Sequence, residues 1–61
     1  MPIDDLTILG NVLRAARKEK NFTQQQLADE SHISIKEIAD IEKGRRNPSY
    51  LIMKTLAKVL H

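Results

Sequence analysis

The chain predicts an all-α fold: a compact bundle of four short helices, with a helix-turn-helix at about residues 23–44. Three observations predict it. Apolar residues return at helical rather than alternating spacing along nearly the whole chain. Helix starts are written in recognisable form, the two clearest lying eleven residues apart at Thr23 and Ser34. The 61 residues, 41% hydrophobic and 30% charged with no cysteine, suit one small soluble core without disulfides or thiolate-bound metal. A chain this short buries only about 60% of its unfolded surface, so its helices must be well capped and share that core. Residues 1–61 are expected to form a single domain.

Asp4 or Asp5 can cap a first helix over about residues 5–20. Leu9, Val12, Leu13 and Ala16 make its expected buried stripe. Gly10 inside that pattern weakens the helix by about 1 kcal/mol relative to Ala. It marks either close packing against a neighbour or the true start of the helix. Arg14, Arg17, Lys18 and Lys20 place positive charge near the negative end of the helix dipole. Asn21, which tolerates a left-handed backbone, stops the helix.

Thr23 and Gln26 form a capping box, with Phe22 stapled onto Leu27. They open a second helix over about residues 24–31 that buries Leu27 and Ala28. Gln24 lies in its first turn, where a side-chain amide and free backbone N–H groups can meet a phosphate oxygen. Ser34 and Glu37 repeat the box, with Ile33 stapled onto Ile38, and open a third helix over about residues 35–43. Only Ser31, His32 and Ile33 separate the two helices, so the chain must turn sharply. An ordinary helical hairpin would carry the same two boxes. His32 is read as a surface turn residue, able to adopt a positive φ at some cost relative to Gly.

At 100° per residue, Ile38, Ile41 and Glu42 share the inward face of the third helix, with Ile35 at its edge. Lys36, Asp40 and Lys43 point the opposite way, and Glu37 lies to one side. Glu42 is thus a carboxylate on an apolar face and needs a partner, because an unpaired buried charge is costly. Gly44 ends the helix. Arg45-Arg46-Asn47-Pro48-Ser49 is a basic, turn-rich loop. Asn47 or Ser49 can cap a fourth helix over about residues 49–60, with Pro48 suited to its first turn. Ile52, Met53, Leu56, Ala57, Val59 and Leu60 spread over a wide apolar arc, and Tyr50 and Leu51 lie outside it.

The net charge of +2 is unevenly placed. Residues 23–42 hold one lysine against five acids, whereas residues 43–61 hold five cations and no acid. This pattern suits phosphate contacts made by the flanks more than by the turn unit. No apolar run approaches the roughly 20 residues of a membrane span. The start, MPIDDL, carries two acids and no basic region, unlike a secretory signal. A cytoplasmic protein is therefore expected. His32 and His61 alone cannot assemble a metal site, and no cofactor motif is present. With no cysteine, no glycine-rich phosphate loop and no His beside a nucleophile, the chain does not read as an enzyme.

Taken together, Leu9-Gly10, Arg14, Arg17-Lys18, Thr23-Gln24, Leu27-Ala28, Ile33-Ser34, Ile38, Ile41-Glu42-Lys43-Gly44, Arg46 and Asn47-Pro48-Ser49 resemble the Cro and phage-repressor (Xre-type) helix-turn-helix domain. The match covers about residues 8–60. Its most specific pieces are T-Q-x-x-L-A from Thr23 and I-E-x-G-x-x-x-P from Ile41. The resemblance implies a lambda-repressor-like bundle of four or five helices that binds double-stranded operator DNA, usually as a homodimer. Base contacts would come from Ile35, Lys36, Glu37 and Asp40. Phosphate contacts would come from Thr23, Gln24, Lys43, Arg45, Arg46 and Asn47. It also implies that Arg17 is the ion-pair partner Glu42 needs.

This sequence departs from the pattern in three ways. His32 replaces the usual turn glycine. The chain reaches His61 before the fifth helix that many members carry, so the apolar arc of the fourth is expected to be partly uncovered. Two acids, Glu37 and Asp40, stand among the groove-facing positions, where they can accept from cytosine N4 but repel phosphate. The expected function is sequence-specific DNA binding by a transcriptional regulator, with a homodimer contact around Tyr50, Leu51 and the chain end. The alternative is a protein-binding module on the same fold.

Overall fold

A computed structural model describes residues 4–61. It contains α1 (Asp5–Glu19), α2 (Gln24–Ser31), α3 (Ile35–Glu42) and α4 (Tyr50–Leu60), and no strand among the described residues. Each boundary falls within one residue of its expected place. The reading of the extreme N-terminus as no secretory signal lies partly outside the described residues.

Side chains start every helix. Asp4 accepts from the Thr7 N–H at 2.7 Å, which holds its carboxyl below the ordinary carboxylate range. Thr23 accepts from Gln26 N–H at 3.0 Å, and the Gln26 side chain accepts in return from Thr23 N–H at 2.8 Å. Ser49 caps α4 by accepting from Ile52 N–H at 3.2 Å. Pro48 therefore lies just before the cap rather than in the first turn. The second expected box is only half made. Ser34 accepts from Glu37 N–H at 3.1 Å, but the Glu37 carboxylate turns instead to Arg46.

Left-handed residues stop three of the helices. Asn21 has φ 60°, with Asn21 N–H donating to Lys18 C=O and Phe22 N–H to Arg17 C=O. Gly44, at φ 74°, repeats the motif through Gly44 N–H to Ile41 C=O and Arg45 N–H to Asp40 C=O. His32, at φ 60°, takes the simpler form, its N–H donating to Ala28 C=O. A β-carbon makes this backbone costly by about 1–2 kcal/mol, and the freedom glycine adds to the unfolded chain cancels part of that. His32→Gly is therefore expected to stabilise the domain by about 0.5–1 kcal/mol in a urea titration. A loss of stability would mean that the exposed imidazole makes a favourable contact.

The core comprises Leu13, Leu27, Ala28, Ile33, Ile38, Ile41 and Leu56, edged by Phe22, Ile52, Met53, Val59 and Leu60. α1 lies against α3, and α2 lies against both α3 and α4. Gly10 marks close packing: a β-carbon there would sit 2.5 Å from the Ile41 carbonyl oxygen and 2.7 Å from that of Glu42. This approach corrects the expected stripe on α1. Gly10, Leu13 and Arg17 are its buried residues, and Val12 is 60% exposed. Bringing Gly10 onto the end of α3 rolls Val12 outward. Val12 then lines an open apolar cleft of about 240 Å³ between α1 and α4, with Leu13, Ala16, Met53, Leu56, Ala57 and Leu60. Tyr50 and Leu51 stand exposed beyond it.

Candidate nucleic-acid interface

The turn positions α3. Ser31 is buried, and its hydroxyl oxygen accepts from Ile33 N–H at 3.2 Å, drawing Ile33 into the core as α3 begins. Two helices and a sharp corner result, not one rod.

The inward side of α3 is fixed by an ion pair. Arg17 Nε donates to Glu42 Oε2 at 2.7 Å and Arg17 Nη2 to Glu42 Oε1 at 3.0 Å, a bidentate fork. Arg17 Nη1 donates to the Phe22 carbonyl at 2.8 Å, tying the end of α1 into the pair. Gln24 Nε2 donates to Glu42 Oε1 at 3.1 Å, and Arg14 Nε lies 3.6 Å from the same oxygen. The Glu42 side chain is wholly buried. Burial pushes its carboxyl up, but hydrogen bonds from Arg17 and Gln24, with the charges of Arg17 and Arg14, hold it below the ordinary range. No buried side-chain polar atom among the described residues lacks a partner. The link from Gln24 and the nearness of Arg14 were not expected from sequence. Arg14 was legible in principle, because it stands one helical turn before Arg17 on the same side of α1.

With Ile38, Ile41 and Glu42 turned inward, the other side of α3 faces solvent. The Lys36 side chain is 86% exposed and donates to Asp40 Oδ2 at 3.0 Å. This bond, with the positive charges of Lys36, Arg45 and Lys43, holds the Asp40 carboxyl below the ordinary range. Glu37 and Asp40 are half-buried rather than fully free, and each is engaged: Arg46 Nε approaches Glu37 Oε2 at 3.5 Å. Ile35 is exposed at the start of the helix. Lys43, Arg45, Arg46 and Asn47 are exposed along the segment that follows. At the other edge lie Thr23, exposed, and Gln24, half-buried. Thr23 accepts with its oxygen and keeps its hydroxyl hydrogen; the Gln24 amide keeps one N–H beyond the bond to Glu42. The surface thus offers donors at both rims and mixed charge between them.

A helix-turn-helix family model matches residues 13–61. This chain belongs to the Xre-type helix-turn-helix family. The helix-turn-helix chain is 40% identical over 52 residues to the immunity repressor protein of Bacillus phage phi105, covering 85% of this chain and 36% of that repressor. It is 42% identical over 53 residues to the competence pilus inhibition repressor of Acinetobacter baylyi, covering 87% of this chain and 48% of the relative. It thus spans half or less of the length of these two relatives. Among solved structures, the restriction-modification controller protein C.AhdI from Aeromonas hydrophila superposes with a TM-score of 0.89 at 34% identity, over 92% of this chain and 85% of that one. The clp gene regulator ClgR from C. glutamicum does so with a TM-score of 0.89 at 30% identity, over 97% and 77% of the two chains. The four-helix architecture is that of these helix-turn-helix regulators.

Proposed function

We propose that residues 1–61 form one helix-turn-helix domain that binds operator DNA sequence-specifically in a transcriptional regulator. One observation carries the reading. The Arg17–Glu42 pair turns the polar end of α3 inward, leaving Ile35, Lys36, Glu37 and Asp40 on a solvent-facing side flanked by the exposed Lys43, Arg45, Arg46 and Asn47. In this reading α3 enters the major groove. Lys36 donates to guanine, Glu37 or Asp40 accepts from cytosine N4, and Ile35 touches a thymine methyl. Thr23, Gln24, Lys43 and the loop residues Arg45, Arg46 and Asn47 meet phosphates and set the register. Relatives named as repressors support it.

The domain acts by occupancy rather than catalysis, in the cytoplasm, and needs no cofactor. No helix among the described residues is long and apolar enough to cross a membrane. We further propose a homodimer through α4 and the chain end, where Tyr50 and Leu51 are 77% and 71% exposed. Two copies of α3 then meet half-sites about 34 Å apart.

Selection of random duplex DNA on the purified protein is expected to return a pseudo-palindrome with that spacing. No enrichment would overturn the reading and favour a protein-binding module, to which the apolar cleft between α1 and α4 is suited. Salt separates the two as well. DNA affinity falls steeply as salt rises because bound phosphates release counterions, whereas an apolar protein contact barely responds.

A further inference from the structure

The acids on the exposed side of α3 are paired, and both partners belong to the surface offered to the duplex. Lys36 is held by Asp40 at 3.0 Å within α3. Arg46 approaches Glu37 at 3.5 Å across the loop that follows α3. Each pair joins a cation that can meet a phosphate or base to an anion that cannot meet a phosphate. The lysine and arginine side chains are well exposed, at 86% and 55%, so water screens both pairs and neither is a strong brace for the fold. Stability therefore gives little reason for two acids at this place.

We propose that Glu37 and Asp40 are specificity-determining residues that withhold Lys36 and Arg46 from DNA offering only its backbone. The inference rests on the DNA-binding reading. A phosphate that takes Lys36 or Arg46 leaves the carboxylate without its cation and close to the duplex. A base edge that donates to that carboxylate, such as cytosine N4, satisfies the acid while the cation turns to a phosphate or to guanine. A correct site therefore opens the pair with both ions satisfied, and a random site opens it with one ion stranded. The acids raise the ratio of specific to non-specific affinity chiefly by lowering the second term.

The test compares the parent with Glu37→Gln, Asp40→Asn and the double variant, on a selected duplex and a scrambled one of equal length, over a series of salt concentrations. The amides keep shape and helix, and thermal melts check that each variant folds. Each freed cation is expected to raise affinity for the scrambled duplex roughly two- to fivefold at 0.1 M salt, the range a screened pair can withhold, and to steepen the log–log salt slope by up to about 0.9. The selected-to-scrambled ratio falls accordingly. Glu19→Gln serves as the charge control, because Glu19 lies beside Leu60 and His61, away from α3. An equal rise in Glu19→Gln would reduce the effect to net charge and overturn the proposal. So would a loss of affinity for the selected duplex with scrambled binding unchanged, which would leave the acids as base contacts alone. If the parent binds no duplex at all, the DNA-binding reading itself fails, and the inference with it.

Discussion

Replacing Glu42 with alanine is expected to remove about 3–5 kcal/mol of stability, a large share of what the domain holds. Arg17 then stays buried with its fork aimed at nothing, one member of a buried pair left stranded. A domain of this size holds only about 3–9 kcal/mol in total. Arg17→Ala should act similarly, and Gln24 and Arg14 cannot rescue it, because Gln24 is uncharged and Arg14 stands 3.6 Å away from a more exposed position. The double variant Arg17→Met with Glu42→Leu should recover much of the loss, since apolar residues of similar volume often replace a buried pair without cost. Urea titrations followed by circular dichroism would measure all four proteins. An alanine variant with the parent midpoint would refute a structural role for the pair.

Acid gives the same pair a second test. The Glu42 carboxyl titrates lower in the folded chain than its ordinary value of 4.5. Its contribution is therefore complete above that value and is lost as pH falls through the folded one. Stability attributable to Glu42 should be flat from neutrality down to about pH 5 and decline below it. The Arg17→Met, Glu42→Leu protein should lack that part of the decline.

Leu56→Ala carries the second large effect. Leu56 is the one α4 residue that is fully buried, whereas Ile52, Met53, Val59 and Leu60 only edge the core. Truncating it removes the anchor of α4 and leaves a hole, at a cost of about 2–5 kcal/mol. In a domain this small each kcal/mol lowers the melting temperature by about 4–8 °C, so the midpoint should fall by about 8 °C or more. Leu51→Ala, five residues earlier and 71% exposed, should change it by little more than the roughly 0.5 kcal/mol typical of surface positions. Equal losses at the two leucines would contradict the packing of α4. Self-association, measured by sedimentation, should respond in the opposite order.

What could be read from sequence follows the range of the forces involved. Caps act within three residues, so Thr23 and Ser34 announced their helix starts outright, whereas the structure chose Asp4 over Asp5 and Ser49 over Asn47. Periodicity showed that Glu42 points inward, but not what it meets 25 residues away. Arg17 was legible only through resemblance to a family. The roll of α1 was misread at Val12, because apolar periodicity cannot know that a glycine is required against another helix. The half-made box at Ser34 has a similar cause. Glu37 had a local partner within reach, and a cation from the next loop took it instead. Among the proposed contact residues, the Lys36–Asp40 pair follows from helical spacing, whereas the Gln24–Glu42 bond needed the tertiary structure.

The missing side chain at Gly10 bears on how this molecule can diversify. Main chain touches main chain where α1 meets the last turn of α3, so no rotamer stands between them to flex. The pointing direction of α3 is thereby built into the frame, and tilting it toward a different target would break that seat. In the proposed DNA-binding reading, new preferences are more readily reached by exchanging the tips at positions 35, 36, 37 and 40, as one swaps bits in a chuck that stays clamped.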